Sequence, residues 1–365
     1  MGVTRGVRRR GLSVSRGLIA LAAACFIIGG GAVLFNALAS GEARNAASGE
    51  QSNAAIAIGS AFSTAIAERP HLSFNSSDLS VVPKGDEVCL FSTFRNSFEP
   101  LGAESSAAIE EALSAFSDCG YHAGFVVLDL STGRGISCNA DSEFFSASTV
   151  KAPFVVFLWQ NFIEGGNVEL DDTLVKDVAY GGTGVMASEE DKLEYELEEV
   201  IADTIVYSDN TGYAMLRDRY DGEGWDEWTA LAGVPQAETE VGRYLNYCAC
   251  DLAKYWLAID EYLATNSEGA QSLKELFGST EVSFLRQALG SECEVYAKAG
   301  FQSSDSTGGL SALNDAGVVE SPSGDYLLVV MSDADYSHPD QTENASLMVD
   351  LIKALDGAHA DLLAV

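Results

Sequence analysis

The sequence predicts a mixed α/β domain of the α+β sandwich type, in which one antiparallel sheet carries helices on both faces. Strand patterns stand near residue 130 and again after residue 290, so both ends of the domain are expected to build the same sheet. Helical patterns fill the interval between them and predict an all-helical lobe. The 365 residues are 47% hydrophobic and 21% charged, which allows a sizeable core. An N-terminal transmembrane helix completes the prediction.

Apolar spacing places the individual elements. A helix is predicted from Ala103 to Cys119, and an apolar run at 125–130 followed by a Ser-Thr-Gly turn and Ile136 predicts a β-hairpin. A long apolar helix is predicted to follow Ser148 and to stop at the next Gly-Gly pair. The remaining predicted elements are helices at 197–205 and 252–263, strands at 295–297, 313–319 and 326–331, and a closing amphipathic helix at 347–355.

Residues 17–39 form an uncharged run that is long enough to cross a bilayer, which takes about 20 apolar residues. The preceding segment 1–16 holds five arginines and no acid, and this bias places the N-terminus inside the cell. The tripeptide Ala37-Leu38-Ala39 also fits a signal-peptide cleavage site. We therefore expect a single-pass protein of the cell membrane with its main domain outside, or a secreted protein if the segment is cleaved.

The rest of the chain is strongly acidic. The whole protein carries a net charge of −33, with 54 acidic residues against 21 basic ones, and the five N-terminal arginines lie on the other side of the predicted membrane segment. An acidic body repels phosphate backbones, which argues against a nucleic-acid partner. Residues 40–102, which begin with a stretch rich in Ala, Ser and Gly, are expected to form a stalk with partial order, and residues 103–365 the main domain.

The numbers and positions of histidines and cysteines limit the metal sites and disulfides that the chain can form. Four scattered histidines do not supply a zinc site, so no metal and no organic cofactor is expected. Export permits disulfides, but the spacing does not decide between disulfides and buried thiols. The cysteines of the exported part are Cys89, Cys119, Cys138, Cys248, Cys250 and Cys293.

Ser148 and Lys151 form a Ser-x-x-Lys motif at the start of an apolar helix. Residues three apart on a helix share a face, so the amine can lie beside the hydroxyl. A helix N-terminus offers N–H groups to a developing oxyanion, and a desolvated lysine near other cations can accept the serine proton. The motif alone is common, since a Ser that begins a helix and a solvated Lys produce the same pattern.

Two further motifs follow in order along the chain. Ser208-Asp209-Asn210 stands at the end of a helical run, and Lys298-Ala299-Gly300 stands at the end of a strand. Alone, the first is an ordinary polar turn and the second an ordinary strand end. All three motifs in this order, each on a suitable element, are far less frequent by chance.

The three motifs resemble those of class A β-lactamases and penicillin-binding proteins. The resemblance extends over about residues 103–355 and includes the segments FFSASTVKAPFVV, GGTGVM, IVYSDNTGYAMLRD and CDLAKYW. It implies a β-lactamase/transpeptidase-like fold and a serine hydrolase that reacts with β-lactams or with peptidoglycan stem peptides. For catalysis it implies Ser148 as the acylated nucleophile, Lys151 as its general base and Ser208 as the proton carrier to the leaving nitrogen.

The same resemblance implies the substrate-binding positions. Asn210 would bind the substrate amide and Lys151, and Lys298 would attract a substrate carboxylate. Gly300 and Phe301 belong to the third motif, and the N–H groups of Phe301 and of the nucleophile would form the oxyanion hole.

Two departures from the family pattern leave alternatives open. Ala299 stands where the family has Thr or Ser, so one hydroxyl for the substrate carboxylate is lost. Gly242 stands where the deacylating Glu of class A enzymes would be, and Glu238 and Glu240 are the acids nearby. Four alternatives remain: a β-lactamase-like hydrolase with slow turnover, a D,D-peptidase or transpeptidase, a non-hydrolysing sensor of β-lactams or wall fragments, and a structural ectodomain in which the motifs are relics.

Overall fold

The computed structural model of the protein describes residues 70–94, 99–222, 224–234, 238–239, 242–305, 309–337 and 342–364. The predicted basic segment 1–16, the apolar segment 17–39 and the first part of the predicted stalk lie outside these ranges. Within them, no helix combines the length and the apolar character needed to cross a membrane.

Five of the described α-helices match predicted ones, and those at 210–220, 225–231, 268–278 and 284–289 were not predicted individually. In chain order, the described α-helices are α1 (Ala103–Asp118), α2 (Lys151–Leu158), α3 (Leu197–Val206), α4 (Asn210–Tyr220), α5 (Trp225–Leu231), α6 (Ala249–Leu263), α7 (Glu268–Gly278), α8 (Phe284–Leu289) and α9 (Thr342–Leu362). Shorter 3-10 turns lie at Ser76–Val81, Ala147–Val150, Met186–Ser188 and Gly290–Glu292, and a π-helical turn lies at Trp159–Ile163.

The described strands group into one large sheet and two small ones. They are β1 (Cys89–Ser92), β2 (Ala123–Asp129), β3 (Arg134–Cys138), β4 (Glu143–Phe145), β5 (Thr173–Val175), β6 (Glu194–Glu196), β7 (Glu238–Thr239), β8 (Gly242–Cys248), β9 (Glu294–Ala297), β10 (Gly300–Gln302), β11 (Ala312–Glu320) and β12 (Tyr326–Ser332). The small sheets are β4-β8-β7 and the hairpin β5-β6.

The large sheet is antiparallel and joins both ends of the domain, as predicted. Its order is β1-β3-β2-β12-β11-β10, with β9 also paired to β11. Along β12, Leu327 and Val329 pack against the helical lobe, whereas Leu328 and Val330 pack against the layer of α1, α8 and α9. Alternating side chains of a strand point to opposite faces, so this pattern confirms a sheet that is covered by helices on both sides.

The helix predicted after Ser148 is interrupted in the structure. A 3-10 turn over Ala147–Val150 leads into α2, and a π-helical turn over Trp159–Ile163 ends the element just before the Gly-Gly pair. The side chains of α2 are all buried, which explains why the segment shows no polar face in the sequence.

Residues 70–94 belong to the folded domain, although the sequence placed them in the predicted stalk. Phe74 and Leu79 are buried in the core of the helical lobe, and β1 pairs with β3 as an edge strand of the large sheet. His71 donates to Asp260 at 2.9 Å and also contacts Asp325, and these two carboxylates raise the pKa of His71 to about 10. The segment is too short and too polar to show an apolar periodicity in the sequence.

The six cysteines that the structure describes all carry free thiols. Cys138 lies on β3 with its sulfur near the backbone oxygen of Asp86, and burial raises its pKa to about 11. Between the two possibilities that the sequence left open, the described part of the chain therefore adopts the thiol form.

Candidate active site

Ser148 lies on the 3-10 turn that precedes α2, and neighbouring strands hold this turn in place. Its predecessor, Ala147, has a φ of 44°, a left-handed conformation that is uncommon for a residue other than glycine. Asn314 of β11 donates its side-chain amide to the carbonyl of Ser146 at 3.2 Å, and Thr149 donates its hydroxyl to the same carbonyl at 2.8 Å. Backbone strain of this kind persists where the surroundings determine the conformation, as they do here.

Lys151 is the fully buried first residue of α2, one helical turn after Ser148. Its amine donates to the Ser208 carbonyl at 2.6 Å and to the Asn210 side-chain oxygen at 2.8 Å, and lies 3.4 Å from the Ser208 hydroxyl. Burial, reinforced by the positive charge of Lys298, lowers the pKa of Lys151 well below its usual range. The neutral amine, which can accept a proton, is therefore favoured.

Lys298, which lies between β9 and β10 of the large sheet, contacts Ser208 as well. Its amine donates to the Ser208 hydroxyl at 3.0 Å and to the Ala299 carbonyl at 2.8 Å. Burial lowers the pKa of Lys298 to about 7. Ser208, whose φ of 56° is also left-handed, thus places its hydroxyl between the amines of Lys151 and Lys298.

Asp209 organises the glycine loop beside this group, a role that the sequence did not assign. Its carboxylate accepts hydrogen bonds from the N–H groups of Val185 at 2.6 Å, Met186 at 2.8 Å and Gly212 at 2.8 Å. A Cβ at Gly184, where φ is 105°, would lie 2.1 Å from this carboxylate. The loop can therefore close on the Ser208 motif only with glycine at that position.

The third motif lies on the edge strand formed by β9 and β10. Ala297 pairs with Gly317 and Gly300 pairs with Asn314, so both strands keep one register along β11. A Cβ at Gly300 would lie 2.7 Å from the backbone nitrogen of Ser148. Glycine is thus required for the strand to approach the serine, and this approach brings Phe301, the next residue, to the cavity that Ser148 lines.

A cavity of about 580 Å³ opens over Ser148. A smaller pocket of about 150 Å³ contains Ser208 and Lys298, and both spaces are bounded by Gly182, Thr183 and Phe301. The structure therefore brings all seven predicted site residues to one region. The residues that line the larger cavity include Ser148, Asn210, Tyr213, Tyr244, Phe301 and Ser303.

No Asp or Glu is among the described residues that line the cavity over Ser148. The exposed Glu281 borders the smaller pocket. Glu240 and the side chain of Glu238 lie outside the described part of the chain. The structure thus gives no carboxylate, among the residues it describes, beside the predicted nucleophile.

Tyr244 was not identified from the sequence, although it lies two residues after the glycine that replaces the expected Glu. Its hydroxyl donates to the Asn210 side-chain oxygen at 3.0 Å, the same atom that accepts from Lys151. Its ring packs against Phe145 and Tyr213, with ring centres 5.9 and 5.6 Å apart. Burial raises the pKa of Tyr244, so the hydroxyl stays a neutral donor. No local pattern marks it, because the contact depends on the pairing of β8 with β4.

Ala299 is fully buried and offers no hydroxyl, and Ser303 is the nearby serine that lines the cavity. Within the described ranges, no cluster of three or more His, Cys, Asp or Glu residues is arranged to hold a metal ion. The chemistry that the described residues offer is therefore a serine hydroxyl, two buried amines and backbone N–H donors.

Comparison with solved structures shows the fold that this chain shares. PBP-A superposes with a TM-score of 0.60 at 22% identity, covering 71% of this chain and 99% of that one. A β-lactamase from Sphaerobacter thermophilus gives 0.57 at 21% identity, covering 68% of this chain and 95% of that one. A PBP-A mutant solved as an acyl-enzyme complex with penicillin G gives 0.59 at 22% identity, over 72% of this chain and 99% of that one.

A comparison with curated proteins gave no match. The family model described as the beta-lactamase enzyme family matches residues 105–355, which is most of the chain and includes all three motifs. The chain therefore belongs to the beta-lactamase enzyme family and is a serine hydrolase of the β-lactamase or penicillin-binding type.

Proposed function

We propose that the protein forms an acyl-enzyme on Ser148 with β-lactams or related amides and that it releases the acyl group slowly. The observation that carries this proposal is the placement of the Ser208 hydroxyl between two buried amines, one of them a helical turn from Ser148. This arrangement supplies a nucleophile, a base and a route for the proton without a metal ion or a histidine.

The acylation step begins when the Ser148 oxygen attacks the carbonyl carbon of the substrate amide. Lys151 takes the hydroxyl proton, which its lowered pKa permits. The proton then passes through Ser208 to the substrate nitrogen as the C–N bond breaks. The N–H groups of Ser148 and Phe301 stabilise the oxyanion, and the absence of a Cβ at Gly300 allows the two backbones to approach.

Lys298 attracts the carboxylate of the substrate, while Ala299 provides no hydroxyl to bind it. One such hydrogen bond contributes about 0.5–1.5 kcal/mol, so its loss weakens binding by up to about tenfold without removing the chemistry. Ser303 lines the larger cavity and is the serine that we propose compensates for part of this loss.

Deacylation requires a base that activates water, and no described Asp or Glu lines the cavity over Ser148. A positioned general base contributes about 10²–10⁴ in rate, so an acyl-enzyme without one is long-lived. This observation also favours a second function, a transpeptidase that passes the acyl group to a peptidoglycan amine or a non-hydrolysing sensor that retains it, because neither has to activate water. A D,D-peptidase on peptidoglycan is the hydrolysing form of the same alternative.

The apolar segment 17–39 and its preceding arginines support an exported protein that is anchored in the cell membrane. The test is a protease added to intact cells. Cleavage of the C-terminal domain with retention of the protein in the membrane fraction supports the anchor, and a domain that stays protected in intact cells contradicts export.

The function is tested with the purified full-length protein, a chromogenic cephalosporin and intact-mass spectrometry. We expect a burst of about one equivalent, a mass increase that maps to Ser148 and little turnover afterwards. Steady, rapid turnover would contradict slow deacylation, and the absence of any adduct would contradict acylation by this compound class. Release of D-Ala from a stem peptide by the wild-type protein identifies the peptidase alternative.

A further inference from the structure

Arg243 is the one residue with a formal charge among the described residues that line the cavity over Ser148. It lies on β8, on the side of the cavity formed by Tyr180 and Tyr213. In a protein with a net charge of −33, an arginine in a cavity without a described acidic lining residue marks a place for a negatively charged group.

Hydrogen bonds to its carbonyl hold the main chain of Arg243 in place. Its carbonyl accepts hydrogen bonds from the Tyr213 hydroxyl at 3.1 Å and from the Arg217 guanidinium at 2.9 Å. Arg217 is itself buried, pairs with Asp221 at 2.8 Å and lies 4.9 Å from the ring centre of Phe154. The position of Arg243 is therefore set by a packed polar network rather than by solvent.

The guanidinium of Arg243 is also oriented. It pairs through Nη2 with Asp218 and lies 5.8 Å from the ring centre of Tyr180. Asp218 is largely exposed and does not line the cavity. A guanidinium carries five N–H donors, so it can keep this pairing and bind a second carboxylate.

The two cavities indicate which part of a substrate would reach Arg243. Lys298 lines only the smaller pocket, whereas Ser148 and Arg243 line only the larger cavity. A substrate with its carbonyl at Ser148 and its leaving-group carboxylate toward Lys298 must extend its acyl group into the larger cavity, where Arg243 and Tyr180 lie.

We infer that Arg243 and Tyr180 form a subsite for an acyl group that bears a carboxylate, so that the preferred substrates are dianions with one negative charge on each side of the scissile amide. The inference rests on the proposed acylation of Ser148 and names the substrate class of that site. The carboxylate accepts hydrogen bonds from the guanidinium, and the acyl chain packs on the Tyr180 ring.

The test compares carbenicillin with benzylpenicillin, which differ by one carboxylate on the acyl side chain. The second-order rate of adduct formation on the full-length protein is measured by intact mass. We expect carbenicillin to react about tenfold faster, the effect of one charge-assisted contact at a partly exposed arginine, and the preference to shrink as salt is raised. Equal or slower reaction of carbenicillin would overturn the inference.

Arg243→Gln should remove the preference while leaving the benzylpenicillin rate within about threefold. Arg219→Gln is the matched control, because Arg219 lies over Tyr220 and does not line the cavity, and it should keep the preference. Thermal unfolding verifies that each variant is folded, and Arg243→Lys, which keeps the charge without the fork, should retain part of the preference. A preference that persists in Arg243→Gln overturns the inference.

The failure of this subsite is distinguishable from a failure of acylation. If neither compound forms an adduct, the proposed function fails, and equilibrium titration of both compounds into wild type and Arg243→Gln then tests the subsite alone. Tighter binding of carbenicillin that depends on Arg243 supports the subsite, and equal binding of the two compounds contradicts it.

Discussion

Two segments of the protein place a lysine three residues after a hydroxyl side chain, Ser148 with Lys151 and Thr173 with Lys176. The first lies on a helical turn, where residues three apart share a face, and its hydroxyl and amine both belong to the region of the cavity. The second begins on β5, and Thr173 is exposed whereas Lys176 is buried. Residues an odd number apart on a strand point to opposite faces, so this hydroxyl and amine diverge.

The partners of the two buried amines differ as well. Lys176 donates to the carbonyls of Met186 at 2.8 Å and Glu189 at 2.6 Å and to the Tyr195 hydroxyl at 3.2 Å. These contacts connect Lys176 to the interior of the loop between β5 and β6 and to a tyrosine of β6. Lys151 lies beside a second buried amine and a serine hydroxyl instead. The two segments share the spacing of the motif. Whether the lysine can act as a base depends on the groups that surround its amine.

The largest expected effect is that of Lys151→Ala on acylation. Without the amine the group that we propose as proton acceptor for Ser148 is lost, so the acylation rate should fall by about 10³-fold, within the range of about 10²–10⁴ for a general base. Intact-mass kinetics with benzylpenicillin measure the rate, with Ser148→Ala as the reference for complete loss and Thr173→Ala as the matched control. Acylation within about tenfold of wild type would show that Lys151 is not the base.

Lys176→Met tests whether the buried amine of Lys176 has a structural role rather than a catalytic one. The substitution leaves the buried Met186 carbonyl and the partly buried Glu189 carbonyl without their donor, at about 1–3 kcal/mol each, so the free energy of unfolding should fall by about 2–6 kcal/mol. Urea unfolding measures this change, and the folded variant should still be acylated at a rate within about threefold of wild type. Lys192→Met is the control, because Lys192 is 40% exposed and its pairing with Glu199 contributes at most about 1 kcal/mol. A catalytic loss at full stability would mean that Lys176 acts in the reaction.

The pH dependence of acylation tests whether the charge of Lys298 attracts the substrate carboxylate. Burial lowers the pKa of Lys298 to about 7, so its charged form, which attracts the substrate carboxylate, is lost as the pH rises through 7. We expect kcat/KM for acylation to fall about tenfold between pH 6 and pH 8. Lys298→Arg keeps the charge and should move this descending limb to higher pH. A flat profile up to pH 9 would contradict the role of Lys298.

The smallest expected effect is that of Tyr244→Phe. The substitution keeps the ring packing and removes one hydrogen bond to Asn210, which also binds Lys151, so acylation should slow by about three- to tenfold at unchanged thermal stability. Tyr262→Phe is the control, since Tyr262 donates to Glu164 at 2.6 Å and does not line the cavity. Unchanged acylation in Tyr244→Phe would exclude Tyr244 as a positioning residue.

Much of the fold was predictable because its main strands are apolar runs and its main helices have regularly spaced apolar residues. The hairpin of β2 and β3, the strands β11 and β12 and the closing helix α9 all bury most of their side chains or one full face. The small sheets were not predicted, because strands of two or three residues such as β4 and β5 carry too little pattern. Residues 70–94 were underestimated for the same reason, since a few apolar side chains anchor a mostly polar segment.

The candidate site residues could be identified from the sequence because they occur in short motifs, whereas the residues that contact them could not. Ser148, Lys151 and Lys298 each lie in a local pattern with a physical reason. Tyr244 and Asp209 act through contacts that span the chain, such as the bond from Tyr244 to Asn210, and only the pairing of distant elements creates them.

We propose that Ser148 becomes acylated and that none of the described residues lining the cavity supplies a carboxylate base for deacylation. The most direct measurement is the lifetime of the adduct, obtained by reacting the full-length protein with benzylpenicillin, removing the excess and following the intact mass. We expect a single adduct on Ser148 that is lost at least about 10²-fold more slowly than it forms at saturating compound. An adduct that never accumulates while penicilloate is released steadily, or a stable adduct on another residue, would contradict the proposal.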